Sequence, residues 1–173
     1  MSINNSLLSA IRLKDYDNVK HCLKSGAEIS YKDQFGCDAF YYSVVYPDNR
    51  IFELILEEDI NFKESYSEGG NILHVAIKAH LEERGHLRII EKLLEKGVNP
   101  NFQDKFGNTP LWYACMFFGI SEQTIKLLIR FKAASDIPNI YGSSVRSWAA
   151  ENNVKEVIEI INGGGNVSGS VSD

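Results

Sequence analysis

At 173 residues, with 44% hydrophobic and 24% charged side chains, the chain is long enough for one domain with a sizeable core. No apolar run approaches the ~20 residues that a membrane span needs. A net charge of −5 argues against nucleic acid, which demands a clustered basic surface. Cys22, Cys37 and Cys115 form an odd, scattered set without C-x-x-C spacing. They predict reduced thiols in a cytoplasmic protein. The opening stretch MSINNSLLSAIRLKDYD has no long apolar segment, so no secretion signal is expected.

In chain order, the first helical pattern is capped at Asn5 and carries Leu7 and the small Ala10 on one face. A second helix follows, with Val19, Cys22 and Leu23 at i, i+3 and i+4, and stops at Gly26. The arrangement then recurs. Turn glycines stand at Gly36, Gly69, Gly107 and Gly142, spaced by 33, 38 and 35 residues. Two residues after each comes a capping residue: Asp38, Asn71, Thr109 and Ser144. A small residue follows each cap in turn: Ser43, Ala76, Ala114 and Ala149. The apolar stripe of the second helix returns as Phe52, Ile55 and Leu56, then Ile90, Leu93 and Leu94, then Ile125, Leu128 and Ile129. Gly97 repeats the helix stop of Gly26, whereas Asp59 and Lys132 occupy that place elsewhere.

The densest copy is DKFGNTPLWYA at 104–114. Asp104 and Gly107 make a turn, Thr109 caps a helix, and Pro110 occupies its first position, where a missing N–H costs nothing. Each unit is therefore turn, short helix, turn, longer helix. GNTPLWYA at 107–114 and GGNILHVA at 69–76 resemble the G-x-T-P-L-H-x-A pattern of the ankyrin repeat, and GCDAFYYS at 36–43 is a weaker copy. The resemblance implies an all-α solenoid of about five helix-turn-helix units joined by short β-hairpin-like turns. Its single domain covers 1–162, with a capping half-repeat at 3–30, repeats at about 31–63, 64–101 and 102–136, and a C-terminal cap at 137–162. Arg146 and Ser147 replace Leu-His in that cap, which suits an end facing water. His74 alone holds the family's histidine position, where an inter-repeat hydrogen bond is implied; Tyr41 and Trp112 replace it elsewhere. Extra residues fall around 79–87 and 117–121, between the helices of two units. The glycine- and serine-rich 163–173 is expected to be a disordered tail.

Candidate chemistry is sparse. His80, Glu82, Glu83 and His86 in the 79–87 insertion are the strongest metal-like group, but lack a helical i, i+4 histidine pair and read as a solvated loop. Cys37 and His74 have no third group to orient a nucleophile and base. No catalytic residue, cofactor or metal is expected. The resemblance instead implies a concave face of hairpin tips and first helices that binds another protein. Carried onto this sequence, that face holds Phe35, Tyr46, Glu68, Lys105, Phe106, Met116, Phe117 and Tyr141, rich in the aromatics and Met of interface cores. Val45, Lys78 and Ala79 fall on the same face. The acidic run Glu57, Glu58, Asp59, Glu64 and Glu68 would steer a basic partner, such as a toxin or another enzyme. By size and architecture the chain resembles small adaptor or immunity proteins, monomeric when free. The alternatives are a metal or enzymatic site in 79–87, and a scaffold or dimer built on the aromatic face.

Overall fold

The computed structural model describes residues 2–63, 65–81, 87–116 and 121–163. These residues hold ten α-helices and no strand: α1 (Ile3–Arg12), α2 (Tyr16–Lys24), α3 (Ala39–Val45), α4 (Asn49–Leu56), α5 (Ile72–Leu81), α6 (Leu87–Glu95), α7 (Pro110–Met116), α8 (Glu122–Arg130), α9 (Val145–Glu151) and α10 (Lys155–Gly163). Each odd-numbered helix packs on the even one that follows it. The odd helices also stack in series, α1 on α3, α5, α7 and α9, and α8 bridges α6 and α10 in the second layer. The result is an all-α repeat solenoid, as the periodicity predicts.

One continuous apolar cluster runs from Leu7 to Ile161. The small residues do what their size suggests. Ala10, Ser43, Ala76, Ala114 and Ala149 are each at most 2% exposed, which lets neighbouring helices approach closely. The stripes Phe52–Ile55–Leu56 and Ile90–Leu93–Leu94 are wholly buried, while Leu23 and Ile129 are half-buried.

Helix starts follow the cap residues, with one correction. Asp38 accepts from the Tyr41 amide, Thr109 from Trp112, and Ser144 forms a capping box with Ser147. The first helix, however, starts earlier than Asn5. Ser2 is its cap, accepting from the Asn5 amide, and Asn5 lies inside α1. Either polar residue can cap, but the helix takes the start that adds most of a turn. Helix ends differ from the expected split, because Lys132 closes its helix as the two glycines do and the Asp59 unit alone departs. Gly26, Gly97 and Lys132 take left-handed φ of +83°, +82° and +64°. At each, the next amide reaches back to close the helix, as from Val98 to Leu93 O. The second unit ends on Glu57 and Glu58 instead. Gly163 belongs to α10, so the regular structure extends one residue into the segment expected to be a tail; residues 164–173 lie outside the described residues.

The turns between units are closed by paired backbone bonds at 33–37, 66–70, 104–108 and 139–143, from Asp33 N to Cys37 O, Tyr66 N to Gly70 O, Asp104 N to Asn108 O and Asn139 N to Ser143 O. They are hairpin tips without flanking strands. Successive tips also bond to each other: Lys105 N donates to Glu68 O, and Ile140 N to Phe106 O. Gly107 sits inside this stack, where a Cβ would come 2.9 Å from both Asn139 Cα and Ile140 N. Gly36, with the same φ of +73°, would place its Cβ in open space.

The two glycines therefore separate strain from crowding. Gly36→Ala should cost about 1 kcal/mol for the left-handed backbone alone. Gly107→Ala adds a clash with rigid backbone and should cost about 1–3 kcal/mol more. Urea denaturation of both variants checks this; equal losses would show that the tips do not stack.

Candidate functional site

Three of the four hairpins are braced by a recurring Asp or Asn side-chain oxygen. Asp33 Oδ1 accepts the amides of Phe35 and Cys37, at 2.9 and 3.1 Å. Asp104 Oδ1 does the same for Phe106 and Asn108, and Asn139 Oδ1 for Tyr141 and Ser143. In two units the second carboxylate oxygen takes a phenol from the first helix. Tyr42 Oη donates to Asp33 and Tyr113 Oη to Asp104, each at 2.6 Å. Burial and the carboxylate beside it push both phenols well above their ordinary range. Burial alone would raise the Asp33 carboxyl; the bonds from Tyr42, Cys37 and Phe35, with Arg12 nearby, outweigh it and hold the group below the usual range.

The middle hairpin departs from this plan. Tyr66 stands where the others have Asp or Asn and cannot accept with a carboxylate. Its ring lies 5.6 Å from that of Tyr41 instead. The tip is a short 3-10 turn at Ser67–Gly69, and Glu68 takes a φ of +62° just before Gly69 at +76°. Left-handed backbone is uncommon for Glu and costs energy that the surroundings must offset. The Glu68 carboxylate lies 3.9 Å from both Lys78 and Lys105.

Beneath it lies a recess of about 190 Å³, framed by Glu68, Lys78, Tyr41, Tyr113, Asp104 and His74. His74 is buried, and burial pushes its imidazole below the ordinary histidine range. Its Nδ1 accepts the Asn71 amide at 3.1 Å, and its Nε2 lies 3.1 Å from Asn108 O in the next unit. Asn71 Oδ1 is also 2.8 Å from Nδ1. A neutral ring protonated on Nε2 satisfies the Asn71 amide and Asn108 together; the other tautomer orphans that amide. Gly70 is required here, since a Cβ would come 2.9 Å from the His74 ring.

The expected partner-binding residues divide into groups. Phe35 and Tyr141 are 73% and 77% exposed at hairpin tips. Phe106 is half-buried beneath Lys105, whose ammonium lies 4.8 Å from its ring centre. Glu68 lines the recess, and the exposed Lys105 ammonium lies 3.9 Å from its carboxylate. Tyr46, half-buried, packs on Tyr42 with Arg12 over both rings. Met116 is half-buried against the core. Phe117 lies outside the described residues. Val45 and Ala79 line the recess but are buried, so they offer little surface. Of the metal-like group, Glu82, Glu83 and His86 lie outside the described residues. No cluster of three metal-ligating side chains occurs among the described residues. Cys22 and Cys115 are buried thiols, and burial pushes Cys115 up to about 12.

Glu57, Glu58 and Asp59 are exposed beyond α4, and Glu53 and Glu91 pair with Arg88 and Arg130 along the even helices. The recess itself is lined by Lys78 with the carboxylates Glu68 and Asp104.

A family model for ankyrin repeats, in three copies, matches residues 79–167, half of the chain. The chain belongs to the ankyrin-repeat family. The α1–α4 region, which that match does not reach, forms two helix pairs packed in the same way as those that follow. Relatives named for ankyrin repeats include a fowlpox virus protein, 32% identical over 57% of this chain and 65% of its own length. Others are a Rickettsia felis protein, 32% identical over 61% and 48%, and YahD of Escherichia coli, 28% identical over 86% and 73%. The chain thus spans less than two thirds of the first two relatives. Its ankyrin repeats mark it as a protein–protein interaction module. No helix among the described residues is long and apolar enough to cross a membrane.

The Asp–Tyr pairs escaped the sequence reading, although a common spacing of nine residues, Asp33 to Tyr42 and Asp104 to Tyr113, signals them. The histidine yields a pH test. Its folded pKa is depressed, so the unfolded chain binds the extra proton as pH falls through about 6.5. Stability should be full above that pH and decline below it. His74→Gln should flatten this part of the profile while costing about 1–2 kcal/mol at neutral pH. Thermal denaturation between about pH 7.5 and 5 reads both effects; an unchanged slope in the variant would assign the acid loss elsewhere.

Proposed function

We propose that this ankyrin chain is a non-enzymatic module that binds one partner protein on its inner face, through the hairpin tips and odd helices. The observation that carries the reading is the exposure of Phe35 and Tyr141 at tips whose amides are held by the Asp33 and Asn139 side chains. Large rings held in water on rigid turns contribute little to folding and suit an interface anchor. Free thiols and ordinary charge content fit a cytoplasmic monomer. Neutralisation of a toxin by masking its surface is the narrower role that size and architecture favour by analogy. On this reading the repeats at about 31–63, 64–101 and 102–136 are the units that would contact such a partner in register.

Site-specific photo-crosslinking tests the face. A benzophenone amino acid at position 35 or 141 should yield a covalent adduct with one discrete protein in the native cell. The same group at position 57 or 126, on the opposite layer, should not. Adducts from the second pair alone would overturn the assignment.

A further inference from the structure

The hairpin tips form a backbone ladder, and the ladder has an open end. Lys105 N donates to Glu68 O, and Ile140 N to Phe106 O. Each time, the second residue of a tip gives its amide to the third residue of the tip before. The next acceptor in that series is Tyr141 O, which takes no backbone amide among the described residues. The surroundings of this carbonyl are open as well. A Cβ on Gly107 would strike Asn139 and Ile140 of the following tip, whereas one on Gly142 would meet nothing within 4 Å among the described residues. Phe106, whose tip is followed by another, is half-buried. Tyr141 holds the same position in the last tip and is 77% exposed, with Ile140 beside it at 63%. The helices of this last unit are finished differently. Arg146 stands in the register of Leu111, and its guanidinium donates to Asn162 Oδ1 at 3.0 Å, a polar pair at the helical end of the stack. The tip keeps the form of one that another tip should cover.

We propose that the last tip, 139–143, binds a reverse turn of the partner protein, which adds a rung to the ladder. A backbone amide of that turn donates to Tyr141 O, and an apolar side chain beside it covers the Tyr141 ring. The inference rests on reading the hairpin tips as part of the docking surface. The occupant follows from what covers the equivalent surface inside this chain, because the tip-on-tip interface continues into the site. Both covering tips begin with Asp or Asn and carry glycine in fourth place, as Asp104 with Gly107 and Asn139 with Gly142. In the tip at 104–108, Asp104 takes up the amides of the third, fourth and fifth residues, which leaves the amide of the second to face outward. A turn of that kind therefore presents one donor where the ladder needs it. A proline at the donating position has no N–H to give. A helix has spent its amides internally beyond its first turn. A whole further repeat would have to pack its helices on the charged Arg146. One backbone bond contributes modestly in water, so cover of Tyr141 and Ile140 supplies most of the affinity.

The probe is a disulfide-closed peptide, acetylated and amidated, with the sequence Asn-Ile-Tyr-Gly-Ser of residues 139–143 between two cysteines. It is titrated into the whole isotope-labelled chain while amide shifts are followed. The peptide should shift amides at 139–143, with an affinity nearly independent of salt, since it carries no charge. Replacing its isoleucine amide by an ester keeps every side chain and removes only the donor. That change should weaken binding roughly fivefold. Tyr141→Ala in the protein should weaken it at least as much, and an amide spectrum unchanged away from the tip confirms that this variant folds. Equal binding by the ester would show that the peptide adheres through its side chains and would overturn the added rung. Shifts confined to the Phe35 tip or the even helices, or none at millimolar peptide, would overturn the site itself. None of these results touches the inner-face reading, which falls only on the crosslinking result.

Discussion

Helices of seven to ten residues are too short to persist alone in water. Each of these ten can bury its apolar stripe only against its partner and the adjoining unit, so nothing in the chain is stable apart from the stack. That constraint explains the small residues at Ala10, Ser43, Ala76, Ala114 and Ala149, which set how closely units approach. It explains why polar groups reach across units: the Ala134 amide to Asn101 Oδ1, and His74 to Asn108. It also explains the glycine at 107, which lets one tip lie on the next. Stability in such an array is approximately a sum of units and nearest-neighbour interfaces. Damage to an inner interface therefore weakens both neighbours.

Much of this was legible because repetition amplifies weak local signals. A single Thr-Pro-Leu says little; a cap two residues after each of four glycines says a great deal. The Asn5 cap was misplaced because two polar residues compete for a terminus and only packing decides how much of the first turn forms. The Asp33–Tyr42 and Asp104–Tyr113 pairs are side-chain bonds within a unit, visible only when the two units are aligned with each other rather than with a family pattern. The placement of Glu68 was not legible. Its left-handed backbone occurs in the hairpin that has Tyr66 where the other three have Asp or Asn, and nothing in the local sequence signals it. The placement of Val45 and Ala79 was half legible: their register puts them on the inner face, but burial by neighbouring units removes them from its surface.

Charge carries the link to function. The net charge of −5 describes the whole molecule, whereas recognition depends on the few groups that face a partner. Along the even helices Glu53–Arg88 and Glu91–Arg130 cross between units as exposed pairs. The inner face differs in kind. It combines exposed rings at the tips, a lysine over Phe106, and a recess lined by Lys78 with Glu68 and Asp104. On the proposed reading, packing and recognition use different residues of a repeat: Leu73 and Leu111 pack in the core, and Phe35 and Tyr141 would make the contact.

That division is the account's central claim, and paired chemical denaturation tests it most directly. Leu111 is fully buried, and Leu111→Ala should cost about 2–5 kcal/mol, because the lost methyls leave a cavity between two units. The double variant Phe35→Ala, Tyr141→Ala should stay within about 1 kcal/mol of the parent chain, since both rings stand in water. A loss from the tip variant equal to that from Leu111→Ala would contradict the account, making those rings part of the packing and not of a recognition surface.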